Sequence, residues 1–219
     1  MRLLLIRHGQ TPGNVLGQLD TAFPGPGLTE LGERQAAALP ESLANEDITA
    51  IYASTLVRTQ LTAAPLAKAL GLEATVLHGL QEIEAGDLEK LTDHESHHRY
   101  MSTVFAWTDG ELDLRMPGAA DGHEFFARYD AAIAKVAAAG DETAVVVSHG
   151  AAIRCWAGRR AVDVGREFAA THQLQNTGIV VLEGDPEGGW HLLHWDQSPV
   201  GGLALADRTV EDPTGDAIE

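Results

Sequence analysis

The chain has few of the features that mark disulfide-bonded, membrane or cysteine-cage proteins. Its 219 residues include one cysteine, Cys155, which excludes internal disulfides and metal sites built from several cysteines. No apolar run approaches the roughly 18 residues of a membrane span, and the run at residues 1–6 is too short for a signal peptide. We therefore expect a soluble, cytoplasmic protein without a membrane partner.

Basic residues are also scarce. Lys and Arg together number 15 against 32 Asp and Glu, which gives a net charge of −17 at pH 7. An acidic surface of this kind repels phosphate backbones, so the composition argues against a nucleic-acid partner. An anionic substrate would need a local cationic pocket that works against the overall field.

The residues that are present suit a compact α/β fold. Apolar residues make up 44% of the chain, and its length fits one domain. Apolar runs predict strands at residues 3–6, 48–53, 75–77 and 143–147, with a closing hairpin from 179–182 and 190–195. Helices are predicted at residues 30–45, 55–70, 93–104 and 121–139, and another from residue 150. Because the strands are apolar throughout, we expect a mostly parallel sheet covered on both faces, a three-layer α/β/α sandwich.

Helix caps follow from the residues that precede these segments. Thr29 and Ser54 are predicted to cap the first two helices, and Asp121 with Glu124 resembles a capping box. Pro40 lies inside the first predicted helix, where it would divide or end it.

Polar residues that can do chemistry follow each of the four main strands. They are Arg7–His8–Gly9–Gln10–Thr11 and Asn14 after the first strand, Ser54 and Arg58 after the second, Glu82 and Glu84 after the third, and Ser148–His149–Gly150 after the fourth. Ligands of open parallel sheets bind beyond the carboxyl ends of the strands. Two histidines, two arginines and a carboxylate are therefore expected to meet at one edge of the sheet.

This combination of residue types favours phosphoryl transfer. A neutral imidazole is a nucleophile, and neighbouring guanidinium groups both hold a tetrahedral oxyanion and disfavour imidazole protonation. Gly9 would let the backbone approach the anion, and the helices after Ser54 and at Gly150 would direct their N-termini at it. A protonated carboxyl group can give its proton to a leaving alcohol and later take one from water. The residues thus predict a reaction through a phosphohistidine.

Four segments, in order over residues 1–182, resemble the motifs of the histidine phosphatase superfamily, in its phosphoglycerate mutase-like branch. They are Leu5–Thr11, Ala53–Ala63, Leu80–Glu82 with Gly86, and Val146–Gly150. The resemblance implies that His8 is the nucleophile, that Arg7, Arg58 and His149 complete the phosphate pocket, and that Glu82 is the proton donor. It also implies Asn14 as an extra phosphate contact, a small phosphorylated substrate, and no metal or other cofactor.

The chain departs from the family pattern at residues 88–90 and 117–121, the stretch that shapes the leaving-group side, so the substrate stays open. We expect one histidine phosphatase domain at residues 1–197, with an irregular insertion near 87–120, followed by a flexible acidic tail at 198–219. A homodimer stays an open alternative.

Other interpretations of the function and of single residues remain open. Glu84 competes with Glu82 for the acid role, and a mutase-type phosphotransfer is the main alternative function. His94–Glu95–Ser96–His97–His98 fits the zinc pattern H-E-x-x-H, with Glu124 as a distant third ligand, although a helix that is solvated or at the rim of the substrate pocket is the favoured interpretation. A catalytically silent binding module is a further alternative, and Cys155 is expected to be a core thiol.

Overall fold

The computed structural model describes residues 1–207, 209 and 212–217. Within them, six strands form one sheet in the order β3-β2-β4-β1-β5-β6. The strands are β1 (Arg2–Arg7), β2 (Ala50–Ala53), β3 (Ala74–Val76), β4 (Thr143–Ser148), β5 (Ile179–Asp185) and β6 (Gly189–Asp196). Strands β1 to β4 pair in parallel, whereas β5 and β6 add an antiparallel edge. The prediction of a mostly parallel sheet with a closing hairpin is confirmed.

Seven α-helices connect and cover these strands in the described residues. They are α1 (Pro12–Val15), α2 (Glu30–Ser42), α3 (Val57–Leu70), α4 (His94–Asp109), α5 (Gly122–Ala138), α6 (Gly150–Arg160) and α7 (Arg166–Thr171). Short 3₁₀ turns lie at Gly86–Leu88 and Leu203–Leu205. No helix in the described ranges is long and apolar enough to cross a membrane.

The continuous apolar strands contribute side chains to two separate hydrophobic cores. Leu3 and Leu5 of β1 face a core shared with α4, α5 and α6, whereas Leu4 and Ile6 face a core shared with α2 and α3. Successive side chains of a strand point to opposite faces, so a strand covered on both sides has to be apolar at every position. The side chains of residues 3–6 therefore supply a core on each face of the sheet, as a three-layer arrangement requires.

Two helices differ from the sequence prediction. Helix α2 continues through Pro40 to Ser42, so the proline neither divides nor ends it there. Helix α3 begins at Val57 with Leu56 as its N-cap, and no side chain caps it, so the prediction that Ser54 caps this helix is wrong. The predicted caps Thr29 and Asp121 are confirmed, the latter as a full capping box with Glu124.

Residues 87–120, predicted as an irregular insertion, contain most of a 3₁₀ turn, the whole of α4 and the connection to α5. Beyond β6, the described part of the predicted tail packs back toward β1, as the contacts of Asp212 below illustrate. The flexibility of residues 198–219 stays a prediction.

Candidate active site

The register of the sheet brings the two candidate histidines together. Arg7, the last residue of β1, pairs with Ser148, the last residue of β4, and the His8 N–H donates to the Ser148 carbonyl at 3.0 Å. The next residue on each chain is a histidine, and the rings of His8 and His149 lie with centroids 5.3 Å apart. The two histidines therefore lie together because the neighbouring parallel strands β1 and β4 end at paired residues.

His8 has the protonation pattern of a nucleophile. Its Nδ1 lies 2.8 Å from the Gly9 carbonyl oxygen, which can only accept, so Nδ1 carries the proton and Nε2 keeps its lone pair. Burial, followed by the nearby Arg58 and Arg7 guanidinium groups, lowers the pKa of His8 well below its usual range. The imidazole is therefore neutral near pH 7.

His149 is arranged as a donor. Its Nε2 lies 3.0 Å from the Ser54 hydroxyl, whose oxygen already accepts from the Leu56 N–H. The Ser54 hydroxyl proton is then available to His149 Nε2, which leaves the ring proton on Nδ1. Burial, then Arg58 and His8, lowers the pKa of His149 well below its usual range, so this donor is a neutral imidazole. Ser54 thus orients His149 instead of capping α3.

Four polar atoms around the histidines are buried and lack a partner in the part of the chain that the structure describes. They are Arg7 Nε, Arg58 Nε, Arg58 Nη1 and His149 Nδ1. Buried donors are normally satisfied, and an unpaired one costs about 1–3 kcal/mol. Four such donors, which lie at or after the ends of three strands, form a candidate site for an anion with several acceptor oxygens.

Glu82 is held by the N-terminus of α6. One carboxylate oxygen accepts from the Ile83 and Ala152 N–H groups at 2.9 and 2.8 Å, and the other accepts from the Ala151 N–H at 3.2 Å. Burial nevertheless raises the pKa of Glu82 above its usual value, against the opposing effect of these hydrogen bonds and of Arg58. The helix N-terminus expected to attract phosphate is thus used, at Ala151 and Ala152, by the candidate acid.

Residues that the sequence reasoning missed fix the loop that carries Glu82. Arg128 of α5 donates to the carbonyl oxygens of Gly79, Gln81 and Glu82 at 2.7–2.8 Å. The Tyr100 hydroxyl of α4 donates to the Ile83 carbonyl at 2.6 Å. The sequence marks these residues only as members of predicted helices, because their partners lie 17 to 49 positions away.

Gly9 has a packing role in the structure. Its N–H donates to Thr62 Oγ1 at 2.9 Å, and a Cβ there would lie 2.7 Å from the Gly32 carbonyl oxygen of α2. Gly9 therefore allows the loop after β1 to pack closely against α2, and its predicted contact with the anion stays a prediction. Gly150 does lie at the pocket, since a Cβ on it would come within 3.0 Å of Arg7 Nε.

The Asn14 side chain already forms hydrogen bonds with neighbouring residues. Its Oδ1 accepts from the Thr11 N–H at 3.0 Å, which completes the capping box of α1, and also from Asn176 Nδ2 at 3.3 Å. Its Nδ2 donates to Asp212 at 3.4 Å. The predicted phosphate contact from Asn14 stays a prediction that rests on this amide alone.

Asp212 is a pocket residue that the sequence reasoning placed in the tail. Its carboxylate lies 2.6 and 2.8 Å from Arg7 Nη2, and the Thr214 hydroxyl lies 2.9 Å from the same atom. The Leu174 carbonyl accepts from Arg7 Nη1 at 2.8 Å. These contacts leave Arg7 Nε as the donor available to a ligand.

The histidines of the H-E-x-x-H pattern lie elsewhere. His94 and His98 are exposed on α4, their centroids 6.4 Å apart, and His97 Nε2 contacts the Gly17 carbonyl at 2.8 Å. Glu124 is engaged in its capping box and with Arg115. Among the described residues, no three His, Cys, Asp or Glu side chains are grouped so as to hold a metal ion.

Cys155 is a core thiol. It is fully buried, lies 3.3 Å from the Val104 carbonyl, and burial raises the pKa of Cys155 to about 12. A thiol with so high a pKa has little thiolate near pH 7 and is a poor nucleophile.

A cavity of about 710 Å³ lies beside Glu82. Glu84 lines the cavity as well. The histidine on the cavity wall is His78 and not His94, His97 or His98. Of the two competing carboxylates, Glu82 is buried against the candidate phosphate donors and Glu84 is exposed. This geometry favours Glu82 for the acid role and gives Glu84 a place on the cavity wall.

The fold and the site together define an α/β protein with an anion pocket built around a neutral histidine. A family model described as the histidine phosphatase superfamily (branch 1) matches residues 3–198. The chain belongs to this superfamily.

Individual relatives are similar over different extents. The chain is 42% identical to the PE-PGRS family protein PE_PGRS11 of Mycobacterium tuberculosis, over 94% of this chain and 38% of that protein. It is 32% identical to "Probable phosphoglycerate mutase GpmB" of Salmonella choleraesuis, over 97% and 98% of the two chains. A solved structure of mycobacterial glucosyl-3-phosphoglycerate phosphatase with VO3 matches with a TM-score of 0.73 at 28% identity, over 89% of this chain and 98% of that one.

Proposed function

We propose that the protein hydrolyses phosphate monoesters of small metabolites through a phosphohistidine on His8, without a metal ion. The observation that carries the proposal is the set of four unpartnered donors, on Arg7, Arg58 and His149, around a neutral imidazole. A phosphoryl group has three equatorial oxygens that need such donors. The phosphatase among the similar structures supports the same reaction class.

In the first step, His8 Nε2 attacks phosphorus while the bond from phosphorus to the ester oxygen breaks. Glu82 enters this step protonated, as its raised pKa favours, and gives its proton to the departing oxygen. The products are the free alcohol, a Glu82 carboxylate and a phosphorylated imidazole. The Gly9 carbonyl, which accepts from Nδ1–H, stabilises the positive charge that the ring acquires.

In the second step, water attacks phosphorus and the bond to Nε2 breaks. The Glu82 carboxylate accepts the water proton, so inorganic phosphate leaves and both residues return to their starting states. Donors on Arg7, Arg58 and His149 neutralise the equatorial oxygens in both steps, which is where electrostatic stabilisation matters most.

The direct test is a panel of phosphomonoesters assayed for phosphate release in the presence of EDTA. We expect turnover by the wild-type protein with EDTA and no turnover by His8→Ala. Arg58→Ala should lose roughly 10²–10³ in kcat, the typical cost of one oxyanion donor. Activity that EDTA abolishes and zinc restores would overturn the proposal, as would phosphate release by His8→Ala at the wild-type rate.

Mutase-type phosphotransfer is the second candidate, because a relative that matches almost end to end is named as a phosphoglycerate mutase. It shares the first step and differs in the acceptor of the phosphoryl group. Conversion of 3-phosphoglycerate to 2-phosphoglycerate faster than phosphate release would favour it.

A further inference from the structure

The cavity beside Glu82 is the place for the leaving group. A general acid has to touch the oxygen that departs, and Glu82 is on the cavity wall. The wall also includes Thr55 and Leu56, which directly precede the helix that carries Arg58. The volume, about 710 Å³, is in the range of small-molecule sites.

The wall of this cavity carries more negative than positive charge. Three carboxylates line it, on Glu82, Glu84 and Glu89, against one guanidinium, on Arg128. With Glu82 protonated for the first step, two carboxylates still face one cation. The cavity therefore has the opposite electrostatic character to the phosphate pocket beside it.

Most of these charged groups are already engaged. Glu89 accepts hydrogen bonds from the Thr21 N–H and hydroxyl and from the Ala22 N–H. Arg128 donates to three backbone carbonyls of the Glu82 loop. Glu84 is exposed and accepts no hydrogen bond from the described residues, so it is the carboxylate available to a ligand.

An apolar surface faces the same space. Phe23 lines the cavity with 72% of its surface exposed, next to Ala22 and Leu56. A cavity lined by both an aromatic ring and a free carboxylate suits a ligand that has both carbon–hydrogen faces and hydroxyl groups. Such a wall offers little to a carboxylate on the ligand.

We propose that the leaving group is an uncharged, hydroxyl-bearing organic group of the polyol or sugar class. Glu84 selects it by accepting hydrogen bonds from its hydroxyl groups and by repelling carboxylates. This inference rests on the proposed function, since it concerns the alcohol that the phosphatase releases. It gives Glu84, the rejected candidate for the acid, a role in specificity.

The test compares two esters of nearly equal size, glycerol 3-phosphate and 3-phosphoglycerate, which differ in a hydroxymethyl group against a carboxylate. Choline phosphate is the cationic third member. Binding is measured by calorimetry on His8→Ala, which cannot turn the esters over, and kcat/KM is measured on the protein with His8 intact. Both are repeated with Glu84→Gln and with the control Glu73→Gln, an exposed glutamate outside the cavity wall.

We expect glycerol 3-phosphate to bind about tenfold more tightly than 3-phosphoglycerate at low salt, as one unfavourable charge pair predicts. Glu84→Gln should reduce this ratio to about twofold, mainly through a lower KM for 3-phosphoglycerate, and 1 M salt should reduce it similarly by screening. Glu73→Gln should leave it unchanged.

The two proposals fail in different ways. Charge-dependent binding without any turnover would overturn the phosphatase and keep the role of Glu84. Turnover with equal binding of the two esters, or a ratio unmoved by Glu84→Gln, would overturn the role of Glu84 and keep the phosphatase. Tighter binding of choline phosphate than of glycerol 3-phosphate would overturn the uncharged class in favour of a cationic one.

Discussion

Glu82 has to hold a proton in one half of the proposed reaction and release it in the other, and its surroundings pull in both directions. Burial raises its pKa, whereas the N–H groups of Ile83, Ala152 and Ala151 and the charge of Arg58 lower it. A carboxyl group poised between opposing effects can serve as acid and then as base.

Glu82→Gln tests this role through the leaving group. An alkoxide needs a proton as it departs and p-nitrophenolate does not, so the losses should differ. We expect kcat/KM to fall by about 10²–10⁴-fold for glycerol 3-phosphate, the usual range for general acid catalysis, and much less for p-nitrophenyl phosphate.

The pH profile supplies the control for that variant. With wild-type protein, kcat/KM for glycerol 3-phosphate should fall as pH rises through the raised pKa of Glu82, because the donor is lost. The fall should be absent in Glu82→Gln. Equal losses for both esters would remove Glu82 from the acid role.

At the scale of elements, the segment after β6 is fastened to the site by polar contacts. Asp212 pairs with Arg7, and the carbonyl oxygens of Thr214 and Asp216 accept from the buried Arg154 of α6 at 3.1 and 2.7 Å. A carboxylate beside a predicted phosphate ligand competes with phosphate for that guanidinium.

Asp212→Asn should therefore strengthen product inhibition. Asparagine keeps an acceptor for Arg7 and removes the negative charge, so we expect the inhibition constant of inorganic phosphate to fall about fivefold, as for a modest ion-pair effect. Asp207→Asn is the matched control, because Asp207 bonds Gln10 and not Arg7. Weaker phosphate inhibition in Asp212→Asn would mean that Asp212 supports Arg7 instead of competing with it.

The elements that could be predicted from sequence are those with local causes. The apolar run at residues 3–6 and the capping box of Asp121 each contain their own signal, so the strand and the helix start were foreseen. Ser54 was wrongly assigned to a helix cap because its partner, His149, lies 95 positions away.

The residues of the candidate site could be predicted where they follow a strand closely in the sequence. His8, Arg58, Glu82 and His149 stand next to strand ends that a parallel sheet must bring together. Arg128 and Asp212 could not be foreseen, because their roles depend on contacts with carbonyls and side chains 46 to 205 positions away.

At the scale of the whole molecule, two buried neutral histidines couple the site to folding. Their pKa values are lowered in the folded state, so between the usual value of 6.5 and the folded value the unfolded chain binds more protons. Stability therefore falls as pH decreases below about 6.5, by at most about 1.4 kcal/mol per pH unit for each histidine.

His149→Gln isolates one of these contributions. We expect the free energy of unfolding, measured by urea titration at a series of pH values below 6.5, to depend less steeply on pH in this variant, by at most about 1.4 kcal/mol per unit. His94→Gln, an exposed histidine, should retain the wild-type slope. Parallel curves for wild type and His149→Gln would show that His149 is not held neutral.

Rapid-quench trapping shows whether His8 carries the phosphoryl group during turnover. Wild-type protein is mixed with a ³²P-labelled monoester, quenched in alkali, where phosphohistidine survives, and mapped by peptide. We expect label on the peptide that contains His8, at a level that rises and decays within one turnover. Label on another residue, or phosphate release with no labelled protein at any time, would contradict it.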